Sequence, residues 1–369
     1  MKKRRIVLAS LLKPVNETRM FEKMGNTLAT AGYDVFIIGM KAPAAPAEDT
    51  SIHSLPHGPF KRTSLRRLTE PFRAFASIRK VKPDLLIVNT HELLIVGILN
   101  RILFGTPLIY DVQENYYRNI RFSEAFPVYV RGTIAFYVRC KEYLTSPFVR
   151  WFFLAEKGYE NEMSFFKKRY TILENKCQAL PGFERKPDPS YITLLFSGTL
   201  ATSTGIFDAI TLARKLHALD ARIRLTIIGY CALPDVLQKI RSEIKDLPYI
   251  NLIGGDQLVP HSKIMSAIAT ANVGLICYPH SPHTQNSIPT KLYEYLTCQL
   301  PIILQQHKPW VDICAPYAAA IPIDFSSFHE HDVLSQLTSR DFYTSPPENT
   351  TWTSEEPKLL QAVSACFAP

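Results

Sequence analysis

Short, unbroken apolar runs alternate with longer stretches of helical periodicity along most of this chain. The runs at 5–12, 35–39, 84–89, 108–110 and 151–153 predict strands of a parallel sheet. Strands covered on both faces carry no polar alternation. Between them, helices are predicted at 17–31, closed by Gly32, at 64–80, and at 92–103, closed by Gly105. Pro- and Ala-rich 42–47 reads as loop, and aromatic-rich helices are expected through the rest of 123–165. Cys177 to Ser190, with Pro181, Gly182, Pro187 and Pro189, reads as a linker. The alternation then restarts, with strands at 193–197, 224–229, 250–254, 273–278 and 301–305. Helices are predicted at 206–219, 233–245, 260–270 and 289–298. A Pro/Thr/Ser-rich stretch at 340–352 precedes a last helix within 353–367.

Strands joined by helices in this order predict an α/β fold of two Rossmann-like, doubly wound halves. Such halves imply an interdomain cleft with ligand at the carboxyl ends of the strands. The expected organisation is a first domain over 1–176, a linker over 177–190, a second domain over 191–340, and a closing helix over 353–369.

Composition agrees with two packed domains: 369 residues, 46% hydrophobic and 20% charged. The opening Met1-Lys2-Lys3-Arg4-Arg5 and the apolar run Ile6 to Leu12 resemble a signal peptide at first sight. The run is short, is closed by Lys13-Pro14 and lacks a small-residue cleavage site, so a first strand with a basic cap is the better reading. No apolar run reaches the length that spans a bilayer. Cys140, Cys177, Cys231, Cys277, Cys298, Cys314 and Cys366 are scattered, with no CxxC pair. A reducing, cytoplasmic setting without disulfides or zinc is therefore expected.

The formal net charge of +9 calls for an acidic partner. Lys61, Arg62, Arg66, Arg67, Arg73, Arg79 and Lys80 crowd one stretch, opposed there only by Glu70. Between Tyr116 and Tyr143, bases and aromatics interleave. That mixture suits peripheral contact with an anionic membrane at its inner face. A solvated basic face over ordinary aromatic core is the alternative. Nucleic acid is not expected, because no recognised motif accompanies the charge.

The chemistry concentrates in Pro289-Thr290-Lys291-Leu292-Tyr293-Glu294-Tyr295, after Asn286-Ser287-Ile288. A proline that opens a helix leaves the first-turn amides facing an anion. Lys291 and Glu294 then share one helix face. The ammonium can hold a phosphate and the carboxylate can accept hydrogen bonds from sugar hydroxyls. An amphipathic helix with a surface Lys–Glu pair is the plainer reading.

These stretches carry a family resemblance. Arg19 through Gly32-Tyr33-Asp34-Val35, Lys82-Pro83-Asp84 and Tyr110-Asp111-Val112-Gln113-Glu114 match in the first half. Phe196-Ser197-Gly198-Thr199, Ile227-Ile228-Gly229 and the segment around Lys291 match in the second. The chain resembles GT-B glycosyltransferases, and more narrowly glycosyltransferase family 4. The resemblance implies a retaining, metal-independent enzyme with no cofactor, moving sugar from a nucleotide donor to a glycan or lipid-linked acceptor. It implies a role in polysaccharide biosynthesis.

By the same resemblance Glu294 binds the donor ribose and the turn before it the diphosphate. Gly198, Thr199, Thr204, Gly229, Ser287, Pro289, Thr290 and Lys291 would line the donor site. Gln257 and Leu258 would lie by the base, without choosing among UDP, GDP and ADP. Asn286 stands where the family often has a second Glu near the sugar. Thr199 and Thr204 stand where many members have an Arg and a Lys on the diphosphate. Each charge-assisted hydrogen bond contributes about 1.5–3 kcal/mol. Two uncompensated losses would weaken the site roughly a hundred- to ten-thousandfold, unless loop amides and Lys291 compensate.

In the first half His91, Asp111 and Glu114 are candidate catalytic residues, and Asn16, Glu17 and Arg19 candidate acceptor contacts. For each a structural role is the alternative: Glu114 as a helix cap, His91 as a core histidine, Arg19 as a helix-surface residue. Two rival readings of the whole are a sugar-nucleotide epimerase of the same architecture and a weakly active or inactive glycosyltransferase-like partner subunit.

Overall fold

The computed structural model describes residues 3–42, 52–58, 60, 66–122, 126–281 and 287–367. The chain divides into two compact units, one running to Gln178 and resuming at Trp352, the other spanning Ala179–Thr351.

The first unit holds a seven-stranded sheet: β1 (Arg5–Pro14), β2 (Asp34–Met40), β3 (Ile52–His57), β4 (Leu85–Val88), β5 (Leu108–Val112), β6 (Trp151–Leu154) and β7 (Tyr170–Ile172). Its order is β3-β2-β1-β4-β5-β6-β7. Every paired neighbour is parallel. The period of two sorts each strand onto two faces. Val7, Ala9, Leu86 and Val88 join one buried cluster; Ile6, Leu8, Leu85 and Ile87 join the other.

In chain order the unit's helices are α1 (Asn26–Thr30), α2 (Arg66–Val81), α3 (Leu94–Phe104), α4 (Tyr116–Phe122), α5 (Val128–Thr145) and α6 (Tyr159–Glu162). The helix expected at 17–31 is interrupted. Arg19–Gly25 winds as a wide π-type turn before α1. Helix content within 123–165 is α5 and the short α6, and 123–125 lies outside the described residues.

The segment from Trp352 supplies Trp352, Leu359, Ala362 and Val363 to the cluster around β1 and β4. Trp352 Nε1 donates to Thr27 Oγ1 at 2.9 Å, and the buried Glu355 carboxylate meets Lys176 Nζ at 2.6 Å.

The second unit holds β8 (Ile192–Thr199), β9 (Ile223–Tyr230), β10 (Ile250–Gly255), β11 (Val273–Ile276), β12 (Ile302–Gln305) and β13 (Ala320–Ile323). The order is β10-β9-β8-β11-β12-β13, again parallel at every pair. Its helices are α7 (Ile206–Leu219), α8 (Pro234–Ile244), α9 (His261–Thr270), α10 (Thr290–Thr297), α11 (Lys308–Cys314) and α12 (Glu330–Ser339). α13 (Glu356–Ala365) belongs to the first unit.

Residues 179–190, expected as linker, pack with the second unit. Arg185 donates to the carbonyls of Gln299 and Ala271, both at 2.7 Å. In each sheet the order of strand addition reverses once, between β1 and β4 and between β8 and β11. In doubly wound sheets that reversal opens a crevice at the carboxyl ends.

Candidate functional site

In the second unit glycines sit near the carboxyl ends of the strands on one side of the reversal point. Gly198, Gly229 and Gly254 end β8, β9 and β10 in mutual register. A Cβ on Gly229 would stand 1.7 Å from the Gly198 carbonyl, and one on Gly254 2.4 Å from the Gly229 carbonyl. Only glycine allows three backbones so close. Of the three, Gly254 is exposed with Val259 beside it, Gly229 is buried, and Gly198 is half-buried and faces the Lys291 side chain.

The loop that follows is tied down from within. Thr204 Oγ1 lies 2.8 Å from the carbonyls of both Thr199 and Ala201 and accepts from the Ala201 amide at 3.2 Å. Its hydroxyl shapes the loop, while Thr199 is exposed. Gly205, at φ +77°, would place a Cβ 2.0 Å from the Cys277 carbonyl, so the start of α7 packs directly on the end of β11.

α10 follows Pro289 and carries Lys291 and Glu294 in one turn and the next. Lys291 is only 7% exposed. Its ammonium donates to the Ser197 carbonyl and lies over the Phe196 and Tyr278 rings, at 4.6 and 5.3 Å. It also stands 3.8 Å from where a Gly198 Cβ would be. Burial is the main influence on Lys291; Cys277 and Glu294 pull the other way, and the net shift brings it down to about 8. Below that helix, Tyr295 and Ser197 hydroxyls meet at 2.9 Å. Tyr295 fits because Gly274 has no side chain: a Cβ there would be 2.5 Å from the ring.

Glu294 Oε1 accepts from His261 Nε2 at 2.9 Å. Nothing local in the sequence signals this contact between the first residue of α9 and the middle of α10. Gln257 and Leu258 are exposed on the loop between β10 and α9. Ser287 offers its carbonyl to Trp310 Nε1 at 2.7 Å, and Thr290 is half-buried. Asn286 lies outside the described residues. Past β12 and β13 the same sheet edge carries a separate cavity of about 440 Å³, lined by His280, Gln305, Gln306, Lys308, Asp312 and Asp324.

In the first unit the predicted residues fall into two networks. Arg19 Nη2 and Nε bind both Asp111 oxygens at 2.8 and 3.1 Å, and Nη1 donates to the Leu173 carbonyl at 2.8 Å. Gln113 Nε2 donates to Asp111 Oδ2 at 2.6 Å. Lys13 then links Gln113 Oε1 to Glu17 Oε1. Glu17 Oε2 accepts the Met20 amide at 2.9 Å and so caps the turn as well. Arg19 and Asp111 are each 1% exposed, whereas Asn16 is half-buried. Arg19 is therefore not a helix-surface residue. Burial alone would lower its guanidinium, but Asp111, with Glu17 and Glu355 behind, raises it on balance.

The second network centres on His91, 6% exposed. Lys141 Nζ donates to His91 Nδ1 at 2.7 Å, which puts the imidazole proton on Nε2. Burial outweighs Glu92 and brings His91 down to about 4, so the ring is neutral near pH 7. Tyr116 packs edge-on at 4.7 Å. Glu114 is exposed and accepts only from Asn119 Nδ2 at 3.0 Å among the contacts described. Lys141 with His91 and Lys13 with Gln113 were not legible as partners because 50 and 100 residues of chain separate them, while Lys13 with Glu17 is a local contact.

No family model matches the chain, and no curated protein matches it in sequence. Solved structures do match over its whole length. Sucrose-phosphate synthase from Thermosynechococcus elongatus superposes with a TM-score of 0.71 at 15% identity, covering 99% of each chain. Anabaena HepE, solved with UDP and glucose, gives 0.67 at 11%, covering 98% of this chain and 99% of that one. WaaG, a glycosyltransferase involved in lipopolysaccharide biosynthesis, gives 0.65 at 13%, covering 98% of each. The fold is GT-B, the fold of these glycosyltransferases.

Proposed function

We propose that this chain is a retaining glycosyltransferase that takes a sugar from a nucleotide donor and passes it to a glycan or lipid-linked acceptor. One observation carries the reading: a buried ammonium, Lys291, against Gly198 at the end of β8, with a carboxylate one turn further along the same helix. A compact cation beside a glycine loop and a helix start suits a diphosphate. The ribose hydroxyls fall to Glu294, the base to the loop at Gln257 and Leu258, and the sugar to the side of Asn286 and Ser287. Because HepE was solved with UDP and UDP-glucose, a uridine donor is the first to test.

In the reaction the bond from the anomeric carbon to the diphosphate oxygen breaks and a bond to the acceptor hydroxyl forms on the same face. The acceptor's proton passes to the departing diphosphate oxygen, so no strong base is required. Lys291 and the surrounding amides stabilise the charge that develops there. His91, neutral and held by Lys141, donates through Nε2 to the transferring sugar. Glu114 and Glu17 are the carboxylates left to orient an acceptor, with Asn16. Arg19 and Asp111 serve as a buried brace for that edge. We further infer peripheral contact of the first unit with an anionic membrane, through the exposed faces of α3 and α5.

Titration of UDP, GDP and ADP into the wild type and Glu294→Ala tests the donor site. Removing a hydrogen bond to a charged group should weaken the preferred nucleotide roughly 10- to 150-fold. Equal affinity in the two proteins would remove the ribose assignment. A second reading is a glycosyltransferase-like subunit without activity of its own. It is favoured by Thr204, whose hydroxyl is committed inside the loop, at a place where the family resemblance leads one to expect a cation. Nucleotide binding with no sugar transfer or nucleotide release, across a panel of lipid and glycan acceptors, would select it.

A further inference from the structure

We infer that His261 is a positioning residue for the donor site, fixing the Glu294 carboxylate so that it discriminates ribose from deoxyribose. The inference rests on the assignment of Glu294 to the ribose. His261 opens α9, directly after Pro260, and its Nε2 lies 2.9 Å from Glu294 Oε1. The two side chains are 32% and 13% exposed, so the pair is partly reachable from solvent.

A glutamate side chain has three rotatable bonds and a carboxylate that spins about the last. Vicinal ribose hydroxyls need both oxygens, or both lone pairs of one, held in a set plane. A single imidazole N–H on Oε1 stops that rotation. It leaves Oε2 whole and one lone pair of Oε1 unused. The hydrogen bond to Glu294 has to be donated by His261, because an ionised carboxylate only accepts. A residue with no donor at 261 would leave Glu294 present but loosely aimed, and the cost of ordering it would fall on the nucleotide.

The distinguishing measurement is the ratio of dissociation constants for 2′-deoxy-UDP and UDP, with the GDP and ADP pairs run alongside. The wild type should prefer the ribonucleotide by roughly tenfold or more. His261→Ala should reduce that preference by a factor of roughly 2 to 10. His261→Gln, which keeps a side-chain N–H, should restore most of it, and His261→Leu should not. The Gln and Leu pair carries the test if the alanine variant fails to fold. Wild-type discrimination in both His261→Ala and His261→Leu would overturn the inference while leaving Glu294 in place. Wild-type discrimination in Glu294→Ala, or no binding of any of the three nucleotides, would instead overturn the reading on which it rests.

Discussion

Arg19 and Asp111, 92 residues apart in the chain, form a two-pronged ion pair at 2.8 and 3.1 Å with both side chains 1% exposed. The pair ties the wide turn after β1 to the end of β5, and the Leu173 carbonyl takes a further guanidinium proton. Breaking a buried pair leaves an uncompensated charge, which costs about 3–5 kcal/mol, whereas replacing both partners with apolar groups is often neutral. Arg19→Met and Asp111→Leu should each destabilise the first unit by that amount, and the double variant should recover most of it. Denaturant unfolding followed by tryptophan emission checks this, since Trp151 and Trp352 report the first unit and Trp310 the second. Unchanged stability in the single variants would return Arg19 to the acceptor.

If Lys291 holds the donor diphosphate as proposed, nucleotide binding should depend on pH in a set direction. Its amine is held down to about 8 by burial, against an ordinary 10.5. Below pH 8 it is already charged in the empty site, and binding takes up no proton through it. Above pH 8 the empty site is neutral, while a bound diphosphate favours the charged form. UDP should then bind with uptake approaching one proton, and affinity should fall up to about tenfold per pH unit. Calorimetry in buffers of different ionisation enthalpy measures the uptake directly. Lys291→Met should abolish it. The same shift has a consequence for stability. The unfolded chain holds the proton up to 10.5 and the folded chain only to about 8, so this group's penalty is full below pH 8 and fades as pH rises between those values.

The interior of both sheets was legible in the sequence because interior strands are built on unbroken apolar runs, as in Leu85–Val88, Val273–Ile276 and the Ile302-Ile303-Leu304 run of β12. The strands that escaped notice, β3, β7 and β13, all lie at sheet edges. β3 carries His53, Ser54 and Pro56, β7 has three residues, and β13 contains Pro322. An edge strand needs neither two apolar faces nor every amide, so composition does not betray it. The candidate site divides in the same way. Lys291 and Glu294 share a helix, and three-residue spacing makes them visible together. His261 with Glu294, Lys141 with His91, and Arg19 with Asp111 become neighbours only through strand order, which no local pattern encodes. Thr204 shows the converse: its position at a helix start suggests a ligand, but its hydroxyl is spent on the loop.

Two buried carboxyls in the first unit give it an acid-leaning stability profile. Burial pushes Glu156 up to about 8 against the pull of Arg118, and Glu142 up to about 7 against Arg139. Glu142 is fully buried, and Glu156 Oε2 is sealed from solvent although the residue as a whole is half-buried. The folded state keeps these protons to a higher pH than the unfolded chain, whose carboxyls lose theirs near 4.5. Their contribution is therefore complete below pH 4.5 and is lost as pH rises through 7 and 8. Glu156→Gln should flatten that decline and stabilise the first unit at pH 8.5 by about 2–4 kcal/mol. Denaturation midpoints at pH 5.5 and 8.5 for both proteins check it. Equal slopes would mean that Glu156 is ionised throughout.

The face of the first unit built by α3 and α5 has the composition of a bilayer contact. Ile95, Leu99, Ile102 and Leu103 repeat at helical spacing on α3 and are 39–61% exposed. On α5, Tyr129, Phe136, Tyr137 and Leu144 are 59–81% exposed. Basic residues rim the apolar surface: Arg79 stacks over the exposed Phe104 at 3.2 Å, next to Lys80. No helix among the described residues is long and apolar enough to cross a membrane. Contact of this kind therefore combines shallow apolar burial with attraction to anionic headgroups, about 1 kcal/mol for each basic residue at the surface. The protein should sediment with phosphatidylserine-containing vesicles far more than with phosphatidylcholine alone. Because the Debye length shrinks from about 10 Å at 0.1 M salt to about 3 Å at 1 M, added salt should release most of it. Ile102→Asp with Leu144→Asp should abolish sedimentation even at low salt while leaving UDP affinity unchanged. Sedimentation that survives both substitutions would place the membrane contact on another surface. A concentration-dependent rise in mass, lost in the same variant, would show that a second copy of the chain covers this face instead.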